Sequence, residues 1–157
     1  MEAFTEVMDK MLGQFNKAFD GRATVTEEEP REPLKKGGLP RIALEMVDFR
    51  KEKDPANGQI DLRTSFEARI TMSFDREKRT RLVVRNLAAE VFSLVDKNDF
   101  EVTNLSPADN LTASDDVIFK DFSGLESWLV EWEHILRIGE DRWKKDWAMY
   151  PETGVKP

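Results

Sequence analysis

The strongest pattern of apolar and polar positions lies between Leu62 and Phe74. Leu62, Phe66, Ala68, Ile70, Met72 and Phe74, with Thr64 among them, alternate with Arg63, Ser65, Glu67, Arg69, Thr71 and Ser73. A period of two predicts a β-strand with one buried face. At about 3.3 Å per residue such a strand spans roughly 40 Å. A compact chain of this length has a radius of gyration of only about 15 Å, so the strand crosses the whole domain. A second long strand is expected from Trp128 to Ile138. Trp128, Val130, Trp132, His134, Leu136 and Ile138 share one face, Leu129, Glu131, Glu133, Ile135 and Arg137 the other, and Gly139 ends the run. Arg41 to Phe49 reads as a shorter strand with Ile42, Leu44 and Met46 in alternation. The turn pairs Asp54-Pro55 and Asn57-Gly58 join it to the first long strand. Val117 to Phe122 is expected to be a fourth, short strand, turned by Ser123-Gly124.

Two stretches carry the helical period instead. Phe4, Val7, Met8, Met11, Leu12, Phe15 and Phe19 recur at three- and four-residue steps, which predicts an amphipathic helix over Phe4 to Phe19 packed on the sheet. Asp75 is the expected N-cap of a second helix reaching about Val95. Its expected core face is Leu82, Val83, Leu87, Val91, Leu94 and Val95, with Ala88 permitting close approach. Residues 21–40 form an acidic, proline-containing arm, and residues 96–116 an irregular acidic loop. Residues 140–157 form an aromatic C-terminal tail, in which the spacing of Trp143, Trp147 and Tyr150 permits a short helix before Pro151. These elements describe one α+β domain over residues 1–157, a mixed or antiparallel four-stranded sheet packed by helices in the order α-β-β-α-β-β.

Composition narrows the class of function. Ten Phe and four Trp supply a core, and 157 residues are enough for one without covalent staples. The chain has no cysteine, which excludes disulfides and thiolate metal sites. A net charge of −7 argues against a protein whose main task is coating DNA, because that task needs a basic face. No apolar run approaches the roughly 20 residues of a membrane-spanning helix, and Met1 to Glu6 lacks the basic region of a signal peptide.

Candidate chemistry is sparse. The only histidine, His134, sits on an apolar strand face with no second His or Cys to build a usual metal site, and is expected to be a core residue with one hydrogen-bond partner. Asp109, Asp115 and Asp116 do not form a calcium loop. No phosphate-binding glycine loop or nucleophile elbow is present. The reading is therefore of a non-enzymatic protein with no catalytic residues, no metal and no cofactor. The candidate contact residues are Arg76, Lys78 and Arg79, at the start of a cationic run reaching Arg85, together with Trp143, Trp147 and Tyr150. Cations at a helix start oppose its dipole; a solvated face is the usual explanation of such a run, and the alternative is an acidic partner or the phosphates of a nucleic-acid-binding module using Arg76 to Arg85.

Three stretches carry a family resemblance. They are Thr64-Ser-Phe-Glu-Ala-Arg-Ile-Thr-Met, the helix Arg81-Leu-Val-Val-Arg-Asn-Leu-Ala-Ala-Glu-Val, and the closing strand Ser127-Trp-Leu-Val-Glu-Trp-Glu-His-Ile-Leu-Arg-Ile-Gly. Together, over about Arg41 to Gly139, the pattern resembles the tail terminator (tail completion) proteins of tailed bacteriophages. The long acidic loop and the aromatic tail depart from it. The resemblance implies a structural virion protein, made in the host cytoplasm and located at the head-proximal end of the tail. Six copies would form a ring that stops tail-tube polymerisation. Its implied partners are further copies of itself, the tail tube protein, the head–tail connector or neck protein and, in a contractile tail, the sheath. DNA passes through such a ring without specific binding, and no membrane is involved. Another neck or connector component of the same virion is the neighbouring alternative.

Overall fold

The computed structural model describes residues 2–30, 34–35, 37–116 and 124–143. The elements, in chain order, are α1 (Ala3–Ala18), β1 (Thr24–Glu27), β2 (Arg41–Lys51), β3 (Ile60–Ser73), α2 (Thr80–Val95), β4 (Asp109–Asp115) and β5 (Leu125–Ile138). The sheet has five strands in the order β1-β2-β3-β5-β4. β1 pairs parallel with β2, and all other neighbours are antiparallel. The α+β class is as expected; against the expected four strands, the described residues form five.

The centre of the sheet follows the alternation. β3 and β5 are paired from Ile60↔Ile138 to Ser73↔Leu125 without a break. The rows Ile42–Ile70–Trp128, Leu44–Ala68–Val130 and Met46–Phe66–Trp132 therefore lie on one face, where the apolar faces of both helices join them in a single core. Phe15 of α1 stacks on Trp132 at 6.4 Å and on Phe100 at 6.3 Å, and Phe66 stacks on Trp132 at 6.1 Å. Val7, Met8, Met11, Phe15 and Phe19 are buried, so the helical stripe of α1 serves the core, with Phe4 and Leu12 partly buried at its rim.

Both added strands lie where periodicity is weakest. Residues 21–40 were expected to be an arm with neither helix nor central strand; Thr24–Glu27 pairs with Arg41–Leu44 as a short strand at the edge of the sheet. Four residues are too few to display a period, but Val25 and the threonines beside it suit a pleated, half-buried edge. Residues 96–116 were expected to be irregular throughout, yet Asp109–Asp115 pairs with β5. This strand lies at the sheet edge with only Leu111 half-buried, so it has no apolar face for the sequence to display. The expected strand Val117 to Phe122 lies outside the described residues.

α2 begins later than expected, and its expected core face is kept at Leu87, Val91 and Val95 but not at Leu82. Val84, Leu87, Ala88, Val91 and Val95 are buried, whereas Leu82 is 42% exposed. Asp75 does not cap it. The Asp75 carboxylate accepts from the Glu77 N–H at 3.0 Å, and the Thr80 hydroxyl bridges the Asp75 N–H and C=O at 2.8 and 2.7 Å. The bridged turn delays the helix until Thr80, after Arg79 has taken a left-handed conformation at φ +54°.

Candidate interaction surface

Three surfaces could bind a partner, and the fold sets them apart. The first is the approach to α2. Arg76, Lys78 and Arg79 are exposed there, beside Phe74 (44% exposed) and Leu82. The Arg81 guanidinium lies 5.7 Å over the Phe74 ring and 3.7 Å from the Glu126 carboxylate, and Arg85 lies 5.5 Å over Trp128. Phe74, Arg76, Arg79, Thr80, Arg81 and Leu82 line a cavity of about 190 Å³. The helix start has no side-chain cap and no acidic residue in its first turn. Cations there oppose the helix dipole by a few tenths of a kcal/mol each. The patch therefore works against local stability, while arginines stacked on rings offer planar donors to carboxylates or phosphates.

The second surface lies at the far end of the long strands. After β5, the chain turns back on the β2–β3 connection: the Arg142 N–H donates to the Asn57 carbonyl at 2.8 Å, and the Gln59 amide donates to the Gly139 carbonyl at 3.1 Å. Gly58 is required here, because at φ +92° an added Cβ would meet Arg142 Cγ at 2.7 Å. Trp143 is 49% exposed, its indole N–H 3.4 Å from the Ala56 carbonyl. Trp147 and Tyr150 lie outside the described residues. β3 separates Trp143 from Arg76, Lys78 and Arg79 by roughly 40 Å, so the expected contact residues form two surfaces rather than one.

The third surface was missed in the sequence. On the sheet face opposite the helices, Glu45, Glu67 and Glu131 stand directly opposite one another on β2, β3 and β5. Like charges so placed destabilise a sheet. Burial raises the Glu67 pKa above its ordinary value; Arg69 partly offsets this, and Glu45 and Glu131 add to the rise. Ion pairs border the row. Arg69 binds Asp116 at 2.7 Å, Arg50 approaches Glu133 at 3.3 Å, Arg63 binds Glu52 at 2.9 Å, and Arg137 grips both oxygens of Asp61 at 2.7 and 3.0 Å. The alternation placed each glutamate on this face, but the strand register that aligns them is set by tertiary pairing.

Among the described residues no nucleophile–base arrangement emerges. His134 is fully buried, with two polar partners rather than the expected one: it contacts the Ser106 carbonyl at 2.8 Å and accepts from the Trp132 indole N–H at 3.0 Å. Among the described residues no group of three His, Asp or Glu side chains converges to hold a metal, and no helix is long and apolar enough to cross a membrane. Comparison with protein-family models finds no match to this chain, and comparison with curated proteins finds none either.

Proposed function

We propose that this chain is a subunit of a ring that caps the tail tube of a tailed bacteriophage. The ring stops tube polymerisation and offers a surface to the head connector. The observation that carries this reading is the frame itself: a helix, a β2–β3 hairpin, a second helix on the same face and a closing strand, β5, paired along the full length of β3. The three stretches resembling tail terminators are β3, α2 and β5 of that frame. The Glu45–Glu67–Glu131 row adds support. A channel wall that lets DNA slide must not attract phosphates, and a carboxylate-bearing face repels them. In this reading the glutamate face lines the passage, the chain is structural and not catalytic, and its partners are further copies, the tube protein, the connector and, in a contractile tail, the sheath.

Electron microscopy of particles lacking the chain tests the reading. Tails of irregular or excessive length and unjoined heads are expected. In complete particles, sixfold density for this chain is expected at the head-proximal end of the tail. Its presence at the distal tip, or in repeated rings along the tube, would end the proposal.

The exposed Arg76, Lys78 and Arg79 favour a second reading, a nucleic-acid-binding module. Salt-dependent retardation of duplex DNA in a gel is its signature, and absence of binding at low salt removes it.

A further inference from the structure

β1 covers β2 only along Arg41–Leu44, which leaves the rest of that edge without a strand among the described residues. There the chain reads Val47-Asp48-Phe49-Arg50-Lys51, with Val47 53% and Phe49 51% exposed. Edges are commonly blunted by charge or a bulge. β4, at the opposite side of the sheet, has acidic ends and an irregular register between Asp109 and Thr112. The β2 edge has its bulge before Asp48 and then presents an aromatic side chain.

The backbone direction can be read from the ladder. The Glu52 N–H donates to the Asp61 carbonyl of β3 at 2.8 Å. Alternation then turns the N–H and C=O of Lys51 and Phe49 away from β3, toward the free edge. The side chains alternate too. Asp48 and Arg50 pair with Ser65 and Arg63 on the glutamate face, and Phe49 pairs with Thr64 on the helix face. Phe49 meets Phe4 of α1 there, with ring centroids 5.1 Å apart.

We infer that this edge binds the same edge of a second copy, antiparallel, about a two-fold axis at Phe49. In that register Phe49 faces Phe49 of the other copy and exchanges both backbone hydrogen bonds with it. Asp48 of each copy then stands opposite Arg50 of the other, on one face, so two opposite-charge pairs form at once. Arg50 already approaches Glu133 at 3.3 Å, but its side chain is 61% exposed and its fork has further donors to offer. On the helix face the two Phe49 rings meet between the two Phe4 rings. The alternative occupant, the β4 edge of another copy, offers no cation to Asp48: between Asp109 and Asp115 it carries only acidic and neutral side chains. The contact is self-complementary and so differs from the head-to-tail contacts of a closed ring; it does not rest on the ring reading.

The absence of cysteine makes the test direct. Sedimentation equilibrium of the full chain should give twice the mass of one chain. Phe49→Cys, mildly oxidised, should form a disulfide-linked dimer, since a hydrogen-bonded antiparallel pair brings Cα atoms to about 5.5 Å, within disulfide range. Asp48→Arg should weaken the dimer by about tenfold or more, through lost attraction and new repulsion. The swap Asp48→Arg with Arg50→Asp should restore it, which a merely misfolded variant would not do. A monomer that Phe49→Cys does not cross-link overturns the inference. So does a disulfide formed only when Phe49→Cys is mixed with Ala113→Cys, which would place β4 of another copy on the edge.

Discussion

The indole N–H of Trp132 donates to Nε2 of His134 at 3.0 Å, on the same strand face two residues along. This bond makes Nε2 an acceptor, so the ring proton must reside on Nδ1, where it is donated to the Ser106 carbonyl at 2.8 Å. Both nitrogens are thereby committed in the neutral ring. Phe66 and Phe100 meet the imidazole edge-on at 5.6 and 5.7 Å. A second proton on Nε2 would confront the indole N–H inside an aromatic shell.

A pH dependence follows. Burial lowers the His134 pKa from 6.5, only partly opposed by the hydrogen bond to Ser106 and by Asp99. Below that ordinary value the unfolded chain takes up a proton that the folded chain refuses. Stability from this residue is therefore fully present above about pH 6.5 and is lost as pH falls toward the lowered folded value. Urea midpoints measured from pH 8 down to pH 5 should decline for the native chain, and His134→Phe should decline less steeply. Parallel curves for the two would show that His134 does not carry the effect.

Phe66 stacks on Trp132 and abuts His134, and it is 3% exposed. Phe66→Ala should cost about 3–5 kcal/mol in chemical denaturation, through lost burial and the cavity left behind. A loss below about 1 kcal/mol would mean that this face is not the core.

Glu67 presents the opposite sign. Its folded pKa is raised by burial, so ionising it costs more in the folded chain than in the unfolded one, and this penalty is relieved as pH falls through the raised value. Glu67→Gln should stabilise the fold at pH 7 by about 0.5–1 kcal/mol, more at low ionic strength than at high. A loss of stability instead would show that attraction to Arg69, 4.0 Å away, outweighs repulsion along the row.

The exposure of Trp143 and its long hydrogen bond separate packing from partner contact in the tail. Trp143→Ala should change stability by less than about 1 kcal/mol. If the tail is a partner anchor of the proposed capping ring, truncation after Gly139 should leave melting nearly unchanged while abolishing the capping of tails, because Trp and Tyr act as interface anchors. Early melting or aggregation would assign the tail to the domain, and a stable truncation that still yields normal-length tails would leave it neither role.

Helices and central strands were legible because each buries a continuous apolar face against the same core. β3 and β5 show a period of two, α1 a period of three and four, and both signals arise from local geometry. The edges were not legible. β1 is four residues long, and β4 exposes nearly every side chain, so backbone hydrogen bonds to a neighbour, not apolar burial, define both strands.

The candidate surfaces divide in the same way. The cations of 76–85 stand in the sequence, but their separation from Trp143 depends on β3 running the length of the domain between them. Leu82 was placed in the core, yet inside α2 it stands about 140° round the helix from Leu87 and about 180° from Val91, so the buried face of those two residues turns it outward. The alternation determined which face each glutamate takes. Only the tertiary register, which brings Glu45, Glu67 and Glu131 opposite one another, decided that their charges interact, because side-chain direction is set within a strand and alignment is set between strands.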